Sequence, residues 1–237
     1  MGLMMLAAVF AYFVKGLCGF ANTLVFSSIL SFSANNINIS PVELVLGLPS
    51  NIAISYKERK SVDWKVCLSL AGLVLLGDIP GILMLKNTDT QVIKGIFGFV
   101  IIVIGLEMLF REYIGSAKKS QLLLIVIGVL SGILCGLYGI GALLAAYIGR
   151  VTDSSSAFKG NLCIVFLIDN LFRLIMYGVT GIITMETLKQ SMILVPFMAL
   201  GLFLGMKGSH FLNEEKIKKL VIFMLILSGV SLIATLF

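Results

Sequence analysis

Long apolar runs, separated by short charged stretches, make up most of this sequence. Most runs approach the length of about 20 residues that an α-helix needs to cross the hydrocarbon core of a bilayer. Hydrophobic residues form 59% of the 237-residue chain and charged residues only 13%, whereas soluble domains average about 45–50% and about 25%. The sequence lacks the regular alternation of apolar and polar residues that is typical of transmembrane β-barrels. Because backbone groups in lipid must be hydrogen-bonded internally, the sequence predicts an all-α, polytopic membrane protein.

The charged gaps set the bounds of the predicted apolar segments. These are Leu3–Phe32, Pro41–Tyr56, Val66–Leu85, Val92–Phe110, Leu122–Ile148, Phe158–Ile183, Leu188–Met206 and Ile217–Phe237. The apolar start has no A-x-A-like cleavage site, so we predict a retained membrane segment rather than a signal peptide. The polar stretch 111–121 is the best boundary candidate. We therefore predict one integral membrane domain built from two repeats, residues 1–115 and 116–237.

Three sequence matches indicate that the two halves are related. GLCGFANTL in the first half corresponds to GLYGIGALL in the second. The matched pairs are Gly16 with Gly136, 120 positions apart, Asn51 with Asn170, 119 apart, and the G-x-x-x-G starts Gly77 and Gly201, 124 apart. Matches in one order at a nearly constant offset indicate an internal duplication, which is found in many secondary transporters.

The first segment of each half is too long for one simple span and is broken by glycines. Such breaks are tolerated at membrane depth only where protein or water meets the backbone. Each segment is therefore either a long bent helix or two half-helices that enter and leave on one side. Basic loops at 57–60, 111–119 and 207–219 mark the cytoplasmic side. They favour the second arrangement, which predicts inverted repeats, each with one re-entrant segment and three transmembrane helices.

Glycines at the two breaks are the first candidate site residues. Half-helix N-termini carry partial positive charge and unpaired N–H groups, which suits anions. Two such ends that meet near the membrane midplane would form a substrate site between the repeats. Close helix packing is the alternative for these glycines, and it is favoured for the G-x-x-x-G pairs. The predicted site glycines are Gly16, Gly19, Gly136, Gly139 and Gly141.

Charged residues inside the apolar runs form the second group, because a charge at the bilayer centre costs at least about 2.5–3.5 kcal/mol. Arg173 shares a helix face with Asp169, four residues earlier. The pair is either a structural salt bridge or an anion ligand whose carboxylate orients the guanidinium or takes a proton. Lys15, at the first break, is a second cation in the path or an interfacial lysine. Asp78 and Glu107 could carry protons, although hydrogen bonding to a neighbouring donor is favoured.

Further polar side chains complete the predicted binding set, namely Asn22, Ser50, Asn51, Tyr138 and Asn170. For Ser50, Asn51 and Asn170, interhelical hydrogen bonds are the alternative. Pro49 is expected to loosen the helix around Ser50 and Asn51. The four cysteines form no C-x-x-C pair and the chain has one histidine, so no metal centre and no cofactor is predicted. The net charge of +6 lies in short loops, as topology requires, and predicts no nucleic-acid partner.

Several motifs together resemble one family. They are Pro49-Ser50-Asn51, YKERKSVDWK from Tyr56, SGILCGLYGIGALLAAYI from Ser131, FKGN from Phe158 and Asn170-x-x-Arg173. Over nearly the whole chain they resemble the sulfite exporter TauE/SafE family. The resemblance implies an inner-membrane carrier of duplicated design for sulfur-containing anions such as sulfite or organosulfonates. It points to the break glycines, Asn170 and Arg173. Ala21 and Asn22 stand where more glycine is usual, and Ala142 where proline is common, so sulfite itself is not implied.

These observations predict a secondary transporter, not an enzyme, that moves a small anion across the cytoplasmic membrane as a multi-pass protein. An anion channel of the same architecture is one alternative. A membrane-embedded enzyme or assembly subunit is another. The predicted partners are the small anion and the lipid bilayer, and the sequence leaves a homo-oligomer open.

Overall fold

A computed structural model describes residues 1–30, 36–87, 99, 102–103, 106, 109 and 121–234. All regular structure within these ranges is helical. The helices are α1 Gly2–Cys18, α2 Asn22–Leu30, α3 Asn36–Lys57, α4 Trp64–Asn87, α5 Gln121–Tyr138, α6 Ala142–Val151, α7 Ser155–Val179, α8 Met185–Gly208 and α9 Glu214–Ala234. The predicted segment Val92–Phe110, which contains Glu107, lies largely outside the described residues.

The described helices have an apolar exterior and bury polar groups. Three of them are long and apolar enough to cross a bilayer, over Trp64–Met84, Ser155–Val179 and Met185–Phe211. Leu68, Ile175 and Phe203 are more than half exposed, whereas Lys15 and Arg173 are almost fully buried. Lipid favours such a distribution, since polar groups there must find partners inside the protein. The predicted all-α membrane class is confirmed.

Each of the two long glycine-broken segments forms two helices. At the first break the chain turns at Gly19 and Ala21, whose φ angles are 90° and 70°, and α2 packs against α1. At the second break Gly139, with φ 70°, separates α5 from α6. Lys15 and Gly16, where the sequence analysis placed the first interruption, remain in the last turn of α1. Glycine adopts the left-handed conformation at no steric cost, so Gly19 ends the helix.

Two helix pairs approach closely enough for their backbones to touch. α1 packs along α8, and α4 packs along α5. A Cβ on Gly16 would lie 2.6 Å from the Leu202 carbonyl oxygen, and one on Gly205 would overlap the Phe13 carbonyl oxygen. A Cβ on Gly81 would lie 2.6 Å from the Ile133 carbonyl oxygen. The packing role predicted for the G-x-x-x-G pairs is confirmed, since only glycine fits these contacts.

α3 and α7 pack against each other. A Cβ on Gly47 of α3 would lie 2.7 Å from the Asn170 amide nitrogen on α7, so the helices are close here as well. α3 contains Pro41 and Pro49 and remains helical throughout. Ser50 does not point into a loosened turn, because its hydroxyl donates to the Gly47 carbonyl oxygen at 2.7 Å within the same helix.

Polar loop residues from distant parts of the sequence meet at one end of the described helices. The Asn161 side-chain oxygen accepts a hydrogen bond from the Asp63 backbone N–H at 2.7 Å. Asp63 in turn caps α4 by accepting from Lys65 N–H at 3.0 Å. Lys57 Nζ lies 3.0 Å from His210 Nε2. The end of α3, the starts of α4 and α7, and the end of α8 therefore share one face.

Candidate functional site

Both chain breaks border one cavity between the two halves of the sequence. The first break contributes Lys15 and residues 20–24, and the second contributes residues 139–142. Two central helices complete the lining, α3 with Glu43 and Asn51 and α7 with Phe166, Asp169 and Asn170. Four polypeptide segments that are distant in sequence thus form a single polar pocket inside an apolar protein.

The N-termini of α2 and α6 both open onto this cavity. The first hydrogen bonds at these ends run from Val25 N–H to the Ala21 carbonyl oxygen at 3.0 Å and from Ala145 N–H to the Gly141 carbonyl oxygen at 2.9 Å. The N–H groups of residues 22–24 and 142–144 precede these bonds and have no acceptor within their own helix. Two sets of N–H donors and two positive helix-dipole ends therefore meet at one place, an arrangement that suits an anion.

Lys15 and Glu43 bring opposite charges to the first break. Lys15 is 2% exposed, and its ammonium lies 5.7 Å from the centre of the Tyr12 ring. Glu43 Oε1 accepts hydrogen bonds from the Tyr12 hydroxyl at 3.3 Å and from the Asn22 side-chain amide. Glu43 was missed in the sequence analysis. The rule that singled out Arg173 also applies to it, because it is an acidic residue inside the apolar run Pro41–Tyr56.

Arg173 lies next to Gly139 at the second break, outside the cavity lining. Its Nη2 donates to Ser40 Oγ at 3.2 Å and to the Tyr177 hydroxyl at 3.0 Å, and its Nη1 lies 3.7 Å from Asp169 Oδ2. A Cβ on Gly139 would come within 3.3 Å of Nη2. Asp169 lines the cavity and Arg173 does not. The guanidinium is therefore close to Gly139 and paired with Asp169, both of which line the cavity, without lining it itself.

Asn51 has polar side-chain atoms that no described residue hydrogen-bonds. Its side chain is fully buried, and neither its amide nitrogen nor its amide oxygen is hydrogen-bonded to a described residue. Buried side-chain polar groups are hydrogen-bonded in the large majority of cases. An unsatisfied amide that lines a cavity is thus a ready donor and acceptor for a ligand.

The structure brings about half of the predicted site residues to the cavity. Those that line it are Lys15, Asn22, Asn51, Gly139, Gly141, Asp169 and Asn170. The others have different surroundings: Gly16 and Gly136 pack on helix backbones, Gly19 lies against Lys159, Ser50 bonds within α3, and Arg173 lies behind Gly139. The Tyr138 side chain is outside the described part. Among described residues, no group of three or more His, Cys, Asp or Glu side chains could hold a metal ion.

The similarity of this chain to known proteins is found at the level of one family. Neither the curated proteins nor the solved structures give a significant match. The family model described as Sulfite exporter TauE/SafE matches residues 4–232, which is nearly the whole chain. This family consists of membrane transporters for sulfur-containing anions. With both breaks and all the cavity residues inside the matched range, the chain belongs to the sulfite exporter TauE/SafE family.

Proposed function

We propose that this protein is a secondary transporter that moves a small sulfur-containing anion, such as sulfite or a sulfonate, across the cytoplasmic membrane. The observation that carries the proposal is the convergence of two half-helix N-termini, one from each half of the chain, on a single cavity that also contains Lys15. The backbone N–H groups at the starts of α2 and α6 and the Lys15 ammonium are donors from which an oxyanion could accept hydrogen bonds.

The donor set fits a compact oxyanion. Sulfite and sulfonate groups carry three oxygens around one sulfur, and each oxygen accepts more than one hydrogen bond. Backbone N–H groups at a helix start bind such groups well, and an ammonium strengthens the interaction through charge. The amides of Asn51 and Asn170 add donors between the two breaks. An apolar or cationic substrate would leave these donors unsatisfied.

The helix directions support inverted repeats. α1 runs parallel to α8, because Gly201 lies against Val9 and Gly205 against Phe13. α4 and α5 are parallel in the same way, with Gly77 against Val129 and Gly81 against Ile133. The end of α8 and the start of α4 share one face, so α1 runs towards that face and α5 runs away from it.

The sequence-matched segments, α1–α2 and α5–α6, therefore enter from opposite sides. This arrangement supports two repeats, residues 1–115 and 116–237, each with one re-entrant segment. It is the architecture in which a site between repeats can open alternately to either side. The basic residues at 57–60 and 207–219 assign the shared face to the cytoplasm.

The test is counterflow in liposomes that contain the purified protein. Vesicles loaded with unlabelled sulfite or methanesulfonate are expected to take up the labelled anion with saturable kinetics, while acetate competes weakly. Lys15→Gln is expected to weaken the apparent anion affinity by about tenfold or more, because a charge-assisted hydrogen bond is worth about 1.5–3 kcal/mol. Lys65→Gln, at an exposed position, serves as the matched control. An ohmic current instead of saturable flux would make the protein a channel, and no flux for any anion would overturn the proposal.

A further inference from the structure

We propose that Asp78 and Asp169 form a proton-binding site, in which one proton held between the two carboxyl groups couples anion movement to the proton gradient. The inference rests on the proposed transport function. It adds the coupling ion, and it assigns a role to Asp78, which lies on α4 outside the cavity lining.

The two carboxyl groups are neighbours, and three of their four oxygens receive no hydrogen bond from a described residue. Asp78 is fully buried, and neither of its side-chain oxygens receives a hydrogen bond from a described residue. Asp169 lies on α7, which packs against α4; it is 2% exposed, its carboxyl group interacts with that of Asp78, and its Oδ1 also has no donor among the described residues. A proton on either group would donate to the other and satisfy both. Paired carboxyl groups that share one proton are a known solution where two buried like charges meet.

The groups around the pair leave a single negative charge uncompensated. From α7, Arg173 pairs with Asp169 at 3.7 Å, and Tyr177 donates its hydroxyl to the Gly136 carbonyl oxygen at 3.2 Å. From α5, the Cys135 thiol faces the same region and hydrogen-bonds the Ile140 carbonyl oxygen at 3.7 Å. α3 contributes the Glu43 carboxylate, which lines the same cavity as Asp169 and is hydrogen-bonded to Tyr12 and Asn22. Two carboxylates against one guanidinium sum to one negative charge, and one bound proton removes it.

The pair is connected to the cavity through Asp169. Asp169 lines the cavity, so an anion that enters meets its charge directly. When the pair has bound one proton, Arg173 balances its remaining negative charge. The cavity then repels the anion less. Proton binding therefore strengthens anion binding, and by thermodynamic linkage the anion strengthens proton binding by the same factor. Because Asp78 and Asp169 belong to different halves of the chain, the proton also bridges the two halves.

The proton itself is tested without any substrate. Infrared difference spectra of the purified protein between acid and alkaline pH are expected to contain the carbonyl stretch of a protonated, buried carboxyl group. Asp78→Asn is expected to remove this band and still fold, because the new amide can donate to Asp169 as the proton did. Asp153→Asn changes an exposed carboxyl group and should leave the band intact. A wild-type spectrum without the band, or a band that survives in Asp78→Asn, overturns the proposal.

Coupling is tested in the same liposomes with methanesulfonate and with sulfite. Methanesulfonate keeps its charge near neutral pH, whereas sulfite takes up a proton itself. An inward proton gradient is expected to accelerate wild-type and Asp153→Asn uptake by about tenfold, within the range of typical coupling energies. Asp78→Asn should exchange the anion without dependence on the gradient. Flux driven by sodium and not by protons overturns the coupling alone. Absence of counterflow in the wild type overturns the transport function and the coupling with it, while the infrared result still reports on the carboxyl pair.

Discussion

Buried charged residues lie in or beside the cavity at both chain breaks. Lys15 and Glu43 lie at the first break, and Asp169 and Arg173 lie at the second. A charge in the membrane interior is retained only where partners offset the cost of removing it from water. Here the partners are other side chains in or beside one cavity, so we expect each substitution to affect both stability and the proposed anion binding. Measurements of unfolding and of flux on the same variant separate the two effects.

Arg173→Gln is expected to destabilise the protein and reduce anion flux. The change leaves the buried Asp169 carboxylate without its cation and removes the donors to Ser40 and Tyr177, and breaking a buried pair costs about 3–5 kcal/mol. Thermal unfolding in detergent and counterflow measure the two effects. Arg59→Gln, at an exposed arginine that stacks on the Tyr56 ring, should change little. Unchanged flux and stability in Arg173→Gln would show that the guanidinium supports neither.

Ala21→Gly is expected to stabilise the first break. Ala21 has φ 70°, and a left-handed conformation costs an L-residue about 1–2 kcal/mol that glycine does not pay. We expect a net gain of about 1 kcal/mol and a rise in the unfolding temperature of about 2–4 °C. Ala7→Gly, a buried position inside α1, is the control and should lose about 1 kcal/mol. A fall in unfolding temperature for both variants would contradict the backbone argument.

The sequence identified the charged residues of the site better than their roles. Arg173 and Asp169 were predicted as a pair, and they form one. The sequence could not show that Gly139 stands between the guanidinium and the cavity, because that depends on how α7 packs against the second break. Asp78 was recognised as buried, but its lack of a hydrogen-bond donor appears only when α4 and α7 are placed together.

The close helix–helix contacts of α1 with α8 and of α4 with α5 are made at glycines. Along α1 with α8 and along α4 with α5, the missing side chains let backbone carbonyl groups of one helix lie against the other helix. Without a hydrophobic driving force between helices in lipid, such close packing is a main source of association energy. The predicted helix bounds agree with the structure to within a few residues for α4 and α8.

Helix ends were harder to predict than helix centres. α7 stops at Val179, before the predicted end at Ile183, since Gly181 adopts φ 71°. α8 begins at Met185, before the predicted start at Leu188, because Thr184 and Thr187 form a capping box. Apolar content does not change at either point, so hydropathy could not locate them.

Gly77→Ala and Gly72→Ala lie on the same helix and are expected to have opposite effects. A Cβ on Gly77 would overlap the Val129 carbonyl oxygen, so α4 and α5 must separate at a cost of about 1–3 kcal/mol. Gly72 has nothing within 4 Å of an added Cβ, and alanine there should gain up to about 1 kcal/mol of helix propensity. Thermal unfolding and the monodisperse fraction in detergent report both. Equal effects of the two substitutions would contradict the close contact between α4 and α5.

At the scale of the whole molecule, the proposed topology predicts which exposed sites share a side of the membrane. Lys60→Cys and His210→Cys should react with a membrane-impermeant maleimide in inside-out vesicles and not in intact cells, whereas Glu186→Cys should react in intact cells. The native cysteines 18, 67, 135 and 163 are all buried, so the unsubstituted protein serves as the unlabelled control. Labelling of Lys60→Cys and His210→Cys from opposite sides would contradict the shared face.

The glycine contacts also constrain how the cavity can open. α1 is joined to α8 and α4 to α5, so each tightly packed pair contains one helix from each half of the chain. A motion that preserves these contacts cannot separate residues 1–115 from residues 116–237 as two bodies. We therefore expect any opening to move composite bodies, each assembled from helices of both halves. On this expectation the moving units would differ from the two repeats that the sequence predicts.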